Sequence, residues 1–110
     1  MPGPARNSVA IAGVLLERGA LRYTPGGQPV LEFLLAHRSA RTEAGTQRQV
    51  ECEMACLAMG PTALLLDGAA VGDAVEAKGF LAAKSLKRRS PVLHVETIEF
   101  IEGAKNGIQT

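Results

Sequence analysis

Few residues in this chain are chemically capable, and their spacing narrows what they can do. Cys52 and Cys56 lie four positions apart. In a strand their side chains share a face but stand on the order of 13 Å apart, which excludes a disulfide between them. A zinc site needs two further ligands, and His37 and His94 have no short metal-ligand spacing to each other or to the cysteines. No metal and no cofactor is expected, and the cysteines are expected as reduced thiols half buried in a sheet. Catalysis finds no assembly either. The chain has no phosphate loop of P-loop spacing, no Gly-x-Ser-x-Gly elbow and no cysteine paired with a base. Both histidines sit in strand-like runs, where such residues pack or bind backbone groups, so the chain is expected not to be an enzyme.

The remaining chemistry is electrostatic. Twelve basic residues against eleven acidic ones give a nearly neutral chain, so no global positive field marks a nucleic-acid partner. The distribution is uneven, however. Lys84, Lys87, Arg88 and Arg89 follow one another without an acid between Lys84 and His94, while Glu96, Glu99 and Glu102 gather near the C-terminus. A local cationic run of this kind either contacts phosphates or simply keeps a loop solvated.

The elements that must position these residues are strands. Ser8 to Leu16 is mostly apolar with Gly13 inside it, the mark of a strand that bends where the side chain is missing. Its apolar faces carry no lysine or proline to guard an edge, so it is expected to pair with a second copy across a two-fold axis. Thr24-Pro25-Gly26-Gly27 predicts a hairpin tip. Val30 to Arg38 predicts the second strand, Thr42 to Gln47 a polar loop, and Arg48 to Leu57 the third strand. The apolar segment Thr62 to Leu66, set between Gly60-Pro61 and Asp67-Gly68, suits one or two helical turns plugging a barrel end. Val75, Ala77, Gly79 and Leu81 alternate with Glu76, Lys78 and Phe80 as a fourth strand. Val92 to Ile101 makes a fifth, with a change of phase that requires a bulge near Glu96 or Thr97.

These features describe an all-β protein, a five-stranded OB-fold Greek-key barrel with a short helical segment between strands 3 and 4; an SH3-like barrel is the structural alternative. Residues 1–102 are expected to form one domain and 103–110, small and polar, a mobile C-terminal tail. No run of 18 apolar residues exists to cross a bilayer, and the N-terminus lacks the layout of a secretion signal, so a cytoplasmic location is expected.

Several segments carry a family resemblance. Pro25-Gly26-Gly27-Gln28-Pro29, Phe33 to Ser39 with its His37-Arg38-Ser39, Glu43-Ala44-Gly45, Arg48-Gln49, Cys52-Glu53-Met54, Gly79-Phe80 and Leu93 to Glu99 together resemble the primosomal replication protein N (primosomal B) family. The likeness runs from about Asn7 to Glu102. It implies a homodimer of OB folds, similar to bacterial single-stranded DNA-binding proteins, that serves replication restart at stalled forks. The implied partners are single-stranded DNA, the primosomal helicase and the next primosome loading protein.

The resemblance places phosphate contacts at Arg22, at Arg38 and in the loop between strands four and five, here Lys84, Lys87, Arg88 and Arg89. Arg48, entering the third strand, is expected on the same face. Arg38 has an alternative, an ion pair with Glu51 or Glu53. Binding a single strand without reading its sequence also needs flat groups for base stacking, and here the chain departs from the family. Glu51 stands beside Cys52 where family members carry a tryptophan, Thr46 replaces an aromatic after Glu43-Ala44-Gly45, and the chain has no tryptophan. Stacking then rests on Tyr23 and Phe80, while Phe33 and Phe100 are expected in the core. The loop between strands four and five is also about two residues shorter than in familiar members. A rival reading follows from these departures: an OB module that contacts proteins and has little intrinsic affinity for DNA.

Overall fold

Alternating apolar positions build a sheet that closes on itself. The computed structural model describes residues 3–102, which hold β1 (Val9–Arg18), β2 (Arg22–Tyr23), β3 (Pro29–Glu43), β4 (Thr46–Met59), α1 (Pro61–Asp67), β5 (Ala74–Ala83) and β6 (Pro91–Phe100). The sheet order is β1-β5-β6-β4-β3-β2, and β1 also pairs with β3, so five strands form a closed ring with β2 as a short addition. Every neighbouring pair is antiparallel except β4 with β6. This is the expected OB-type barrel, and α1 lies between its third and fourth strands. The tail expected over 103–110 falls outside the described residues.

Glycine permits the two sharpest features. β1 pairs with β5 from Val9 to Val14 and with β3 from Val14 to Arg18, and Gly13 sits at the change of partner. A Cβ there would lie 2.6 Å from the Ala36 carbonyl oxygen, so no other residue allows that approach. At Gly79 a Cβ would run into the His94 backbone. This is beside the bulge, where Lys78 faces Thr97, Gly79 faces Val95, and Glu96 is left over.

Leu15, Leu31, Leu35, Val75 and Leu93 fill the barrel with essentially no exposure, each contributing roughly 1.5–3 kcal/mol by burial. α1 turns Ala63 and Leu66 onto this core. Pro61 starts the helix where no N–H is required. At its other end the Arg18 guanidinium donates to the carbonyls of Leu66, Asp67 and Ala69 at 3.3, 2.7 and 3.1 Å, satisfying acceptors the helix leaves open. Among the described residues no helix is long and apolar enough to span a membrane.

Three expectations need correction. Thr42 to Gln47 is not a loop: β3 continues to Glu43 and β4 starts at Thr46, joined by Ala44 and Gly45 at φ 52° and 80°. Two successive positive φ values make the tight turn that suits paired strands, and the polar sequence marks a hairpin wet on both faces. Phe100 is 42% exposed, because it ends β6 at the rim of the barrel, whereas Phe33 is buried as expected. The thiols are not both half buried: Cys52 is exposed on the hairpin beyond the barrel, and Cys56 is buried within it.

Candidate nucleic-acid interface

The β3–β4 ladder runs from Val30 opposite Met59 to Glu43 opposite Thr46. Its distal half has no other partner strand, since β1 leaves β3 at Ala36 and β6 joins β4 only from Cys56. The result is an arm extending about 23 Å beyond Ala36, at about 3.3 Å per residue. β6 runs parallel to β4 with Leu93 opposite Cys56, so the segments preceding these residues leave the barrel at the same end. Those segments are the arm and the 84–90 loop. α1 and the Arg22–Tyr23 hairpin stand at the other end, where the Gly60 N–H donates to the Pro29 carbonyl at 2.9 Å.

The eight residues singled out in sequence therefore do not form one cluster. Arg22 and Tyr23 lie at the helix end, paired with Val30 and Pro29. Arg38 and Arg48 lie on the arm, and the arm's alternation puts them on opposite faces: Arg38 faces Glu51, three residues from Arg48. The expected common face for Arg38 and Arg48 is thus not formed. Lys84, Lys87, Arg88 and Arg89 are all exposed on the loop.

Ion pairing divides the set again. Arg22 pairs with Glu32 at 2.8 Å, Arg38 with Glu51 at 3.0 Å and Arg48 with Glu43 at 2.7 Å. The alternative weighed for Arg38 is the one the fold adopts. The four loop cations have no ion pair among the described residues. The loop is nonetheless shaped: the Arg88 N–H donates to Ser85 Oγ and the Ser85 N–H to the Arg88 carbonyl, both at 2.9 Å, while the Lys84 N–H donates to the Ser90 carbonyl at 3.1 Å.

Between the two ends lies a groove that carries a stacked pair of rings. Phe80 and His94, cross-strand neighbours on β5 and β6, stack with ring centroids 5.1 Å apart and planes 19° apart. Leu57 lies opposite His94 on β4, and the exposed Met59 borders the same groove. The sequence marks Phe80 by its outward phase but gives no sign that His94 joins it. Both histidines behave as strand histidines do: His94 packs, and His37 Nδ1 donates to the Ala12 carbonyl at 2.6 Å, with Nε2 2.9 Å from Ser39 Oγ. Burial pushes the Cys56 thiol up to about 12, which keeps it protonated and unreactive near neutral pH.

Comparison with known proteins settles the family. Residues 7–97 match a family model described as "another single-strand binding protein family". The replication restart protein PriB of Bordetella pertussis is 38% identical over 98 residues, covering 89% of this chain and 92% of its own. The chain belongs to the PriB family. The solved structure of PriB from Ralstonia solanacearum superposes with a TM-score of 0.79 at 36% identity, covering 88% of this chain and all of that one. The single-stranded DNA-binding protein of Thermus aquaticus has the same fold over 89% of this chain and 51% of its own, with a TM-score of 0.73 at 28% identity. PriB proteins and single-stranded DNA-binding proteins thus share this barrel, and the cation distribution described above is set on it.

Proposed function

We propose that this chain is a cytoplasmic single-stranded DNA-binding accessory of replication restart, bridging a primosomal helicase and a primosome loading protein at stalled forks. The observation that carries the reading is the 84–90 loop: four cations, unpaired among the described residues, on a shaped loop of an OB barrel in the PriB family. Lys84, Lys87, Arg88 and Arg89 take phosphates, and the stacked Phe80–His94 pair and Tyr23 take bases. Arg22, Arg38 and Arg48 contribute only where a phosphate displaces a carboxylate. These pairs are exposed on both partners, so each holds its arginine by about 0–1 kcal/mol.

The protein acts as a symmetric dimer. β1 gives one edge to β5 along Val9–Val14 but pairs with β3 only from Val14 onward, so its first half has an open edge with exposed Ala10, Ala12 and Val14 beside it. Pairing with a second copy covers that edge. Sedimentation is expected to give twice the chain mass at micromolar concentration, and a monomer would remove the dimer.

Fluorescence anisotropy with oligo-dT at two salt concentrations tests the main reading. Binding that weakens steeply with salt supports it. A second reading, an OB module that recognises proteins and binds DNA hardly at all, is favoured by the three masked arginines and by Glu51; it is the reading left if oligo-dT does not bind.

A further inference from the structure

The tip of the 84–90 loop carries a side chain that phosphate binding does not use. Leu86 is 91% exposed, the most exposed of the large apolar side chains described. It is not loosely held. The Ser85 N–H donates to the Arg88 carbonyl and the Arg88 N–H to Ser85 Oγ, both at 2.9 Å, so Leu86 and Lys87 project from a closed turn. A side chain presented in this way has little freedom left to lose on docking. Lys84, Lys87, Arg88 and Arg89 flank it, so a surface that receives Leu86 needs an apolar floor and carboxylates around it.

The chain itself has such a surface. A groove of about 510 Å³ lies between the start of α1 and the β5–β6 ladder, lined by Leu57, Met59, Pro61 and Phe80 together with the exposed Glu96. Glu96 is the residue left over at the β6 bulge, and the Thr62 hydroxyl donates to its carbonyl at 3.2 Å. Farther along the same outer face Glu76 stands directly opposite Glu99. None of these three carboxylates has an ion pair among the described residues. Lys78, opposite Thr97, is the only lysine or arginine on the two strands.

We propose that Leu86 of one copy seats in this groove of a second copy, with the loop cations set against Glu96 and the Glu76–Glu99 pair. The loop cannot reach the groove of its own chain. Leu86 stands six residues beyond Phe80, about 20 Å along the strand direction, on a ladder that stays paired as far as Ala83 and Pro91. The two surfaces differ, so the contact is heterologous and adds copies head to tail, unlike the two-fold pairing of β1. Charge complementarity orients it and makes it sensitive to salt. The contact goes beyond the single-strand reading and competes with it, since both occupy the 84–90 loop.

Sedimentation of the full chain without DNA, over a concentration series at low and high salt, tests the contact. Species heavier than the two-fold dimer are expected at low salt and are expected to dissociate at high salt. Leu86→Ser, at an exposed position, is expected to weaken this association roughly ten- to 100-fold. Met59→Arg and Glu96→Lys, each placing a cation at an exposed position of the groove, are expected to weaken it as well. An equimolar mixture of the Leu86 variant with either groove variant is expected to regain association, because one keeps its groove and the other its loop. Absence of any species beyond the dimer overturns the contact, and so does association indifferent to all three substitutions. Loss in every variant without recovery on mixing also overturns it, because it marks a contact between like surfaces. A chain that self-associates in this manner yet does not bind oligo-dT supports the contact and rejects the single-strand reading alone.

Discussion

Arg22, Arg38 and Arg48 each reach a carboxylate on a neighbouring strand, whereas Lys84, Lys87, Arg88 and Arg89 reach only solvent among the described residues. The difference is one of neighbours. An antiparallel ladder places a residue within about 5 Å of a fixed partner, so a strand arginine takes whatever charge the register supplies. A loop cation has no such partner. It stays available, and it is desolvated only when a ligand arrives. Equal formal charge in the sequence therefore becomes two kinds of site, one masked and one open.

The largest expected effect comes from emptying the open set. Lys87→Ala, Arg88→Ala and Arg89→Ala together are expected to flatten the salt slope of oligo-dT binding by about 2, at about 0.7 per phosphate, without altering the sedimentation of the dimer. An unchanged slope would make the loop a solubilising feature and end the contrast. Next is unmasking. Glu51→Trp frees Arg38 and adds a ring worth about 1–3 kcal/mol if it stacks on a base, so binding is expected to tighten by roughly five- to 150-fold. Glu51→Gln frees Arg38 alone and is expected to steepen the slope by about 0.7. If neither variant binds more tightly than the parent, the outer face of the arm does not meet the strand.

Arg18 sharpens the comparison from the other side, as a cation fully committed to the fold. Arg18→Ala removes its bonds to three carbonyls at the end of α1 and its ion pair with Asp67. It is expected to lower stability by about 1–3 kcal/mol in urea unfolding, with the salt slope unchanged. The smallest effect concerns the thiols. Cys52 should react at once with a thiol reagent at neutral pH and Cys56 only on unfolding. Because the Cys56 thiol is raised from 9.0 to about 12 in the fold, the unfolded chain loses its proton first. Its contribution to stability is whole below pH 9 and declines as pH rises toward 12. Cys56→Ala is expected to remove that alkaline decline; a decline of the same size in the variant would assign it to other groups.

Much of the molecule was legible in the residues themselves. Period-two patterning gave the strands, Gly13 marked a bend, the phase change between Val92 and Ile101 marked the bulge, and Gly60-Pro61 announced the plug. These are local signals, carried by a residue's own dihedral range or by its neighbours two positions away. The family was legible for the same reason, through contiguous segments such as His37-Arg38-Ser39. The cation run from Lys84 to Arg89 was visible too, and its openness in the fold follows from its lying between strands.

What the sequence left undecided was every question of who faces whom. Arg22 and Glu32 are 10 residues apart, Arg38 and Glu51 are 13, and Arg48 and Glu43 are five. No single spacing predicts all three pairs. The two arm pairs follow from a two-residue turn where a polar loop was expected, and that turn lengthened both strands and set Arg41 against Arg48, whereas Arg22 meets Glu32 through the separate β2–β3 hairpin. Phe80 found His94 only because a bulge at Glu96 brought β6 into that register, and Phe100 lost its place in the core because the barrel ended before it did. Side-chain type and strand period are properties of the chain, but a cross-strand partner is a property of register. Register is fixed only when turns, bulges and the closing β1–β3 and β1–β5 pairs are all in place.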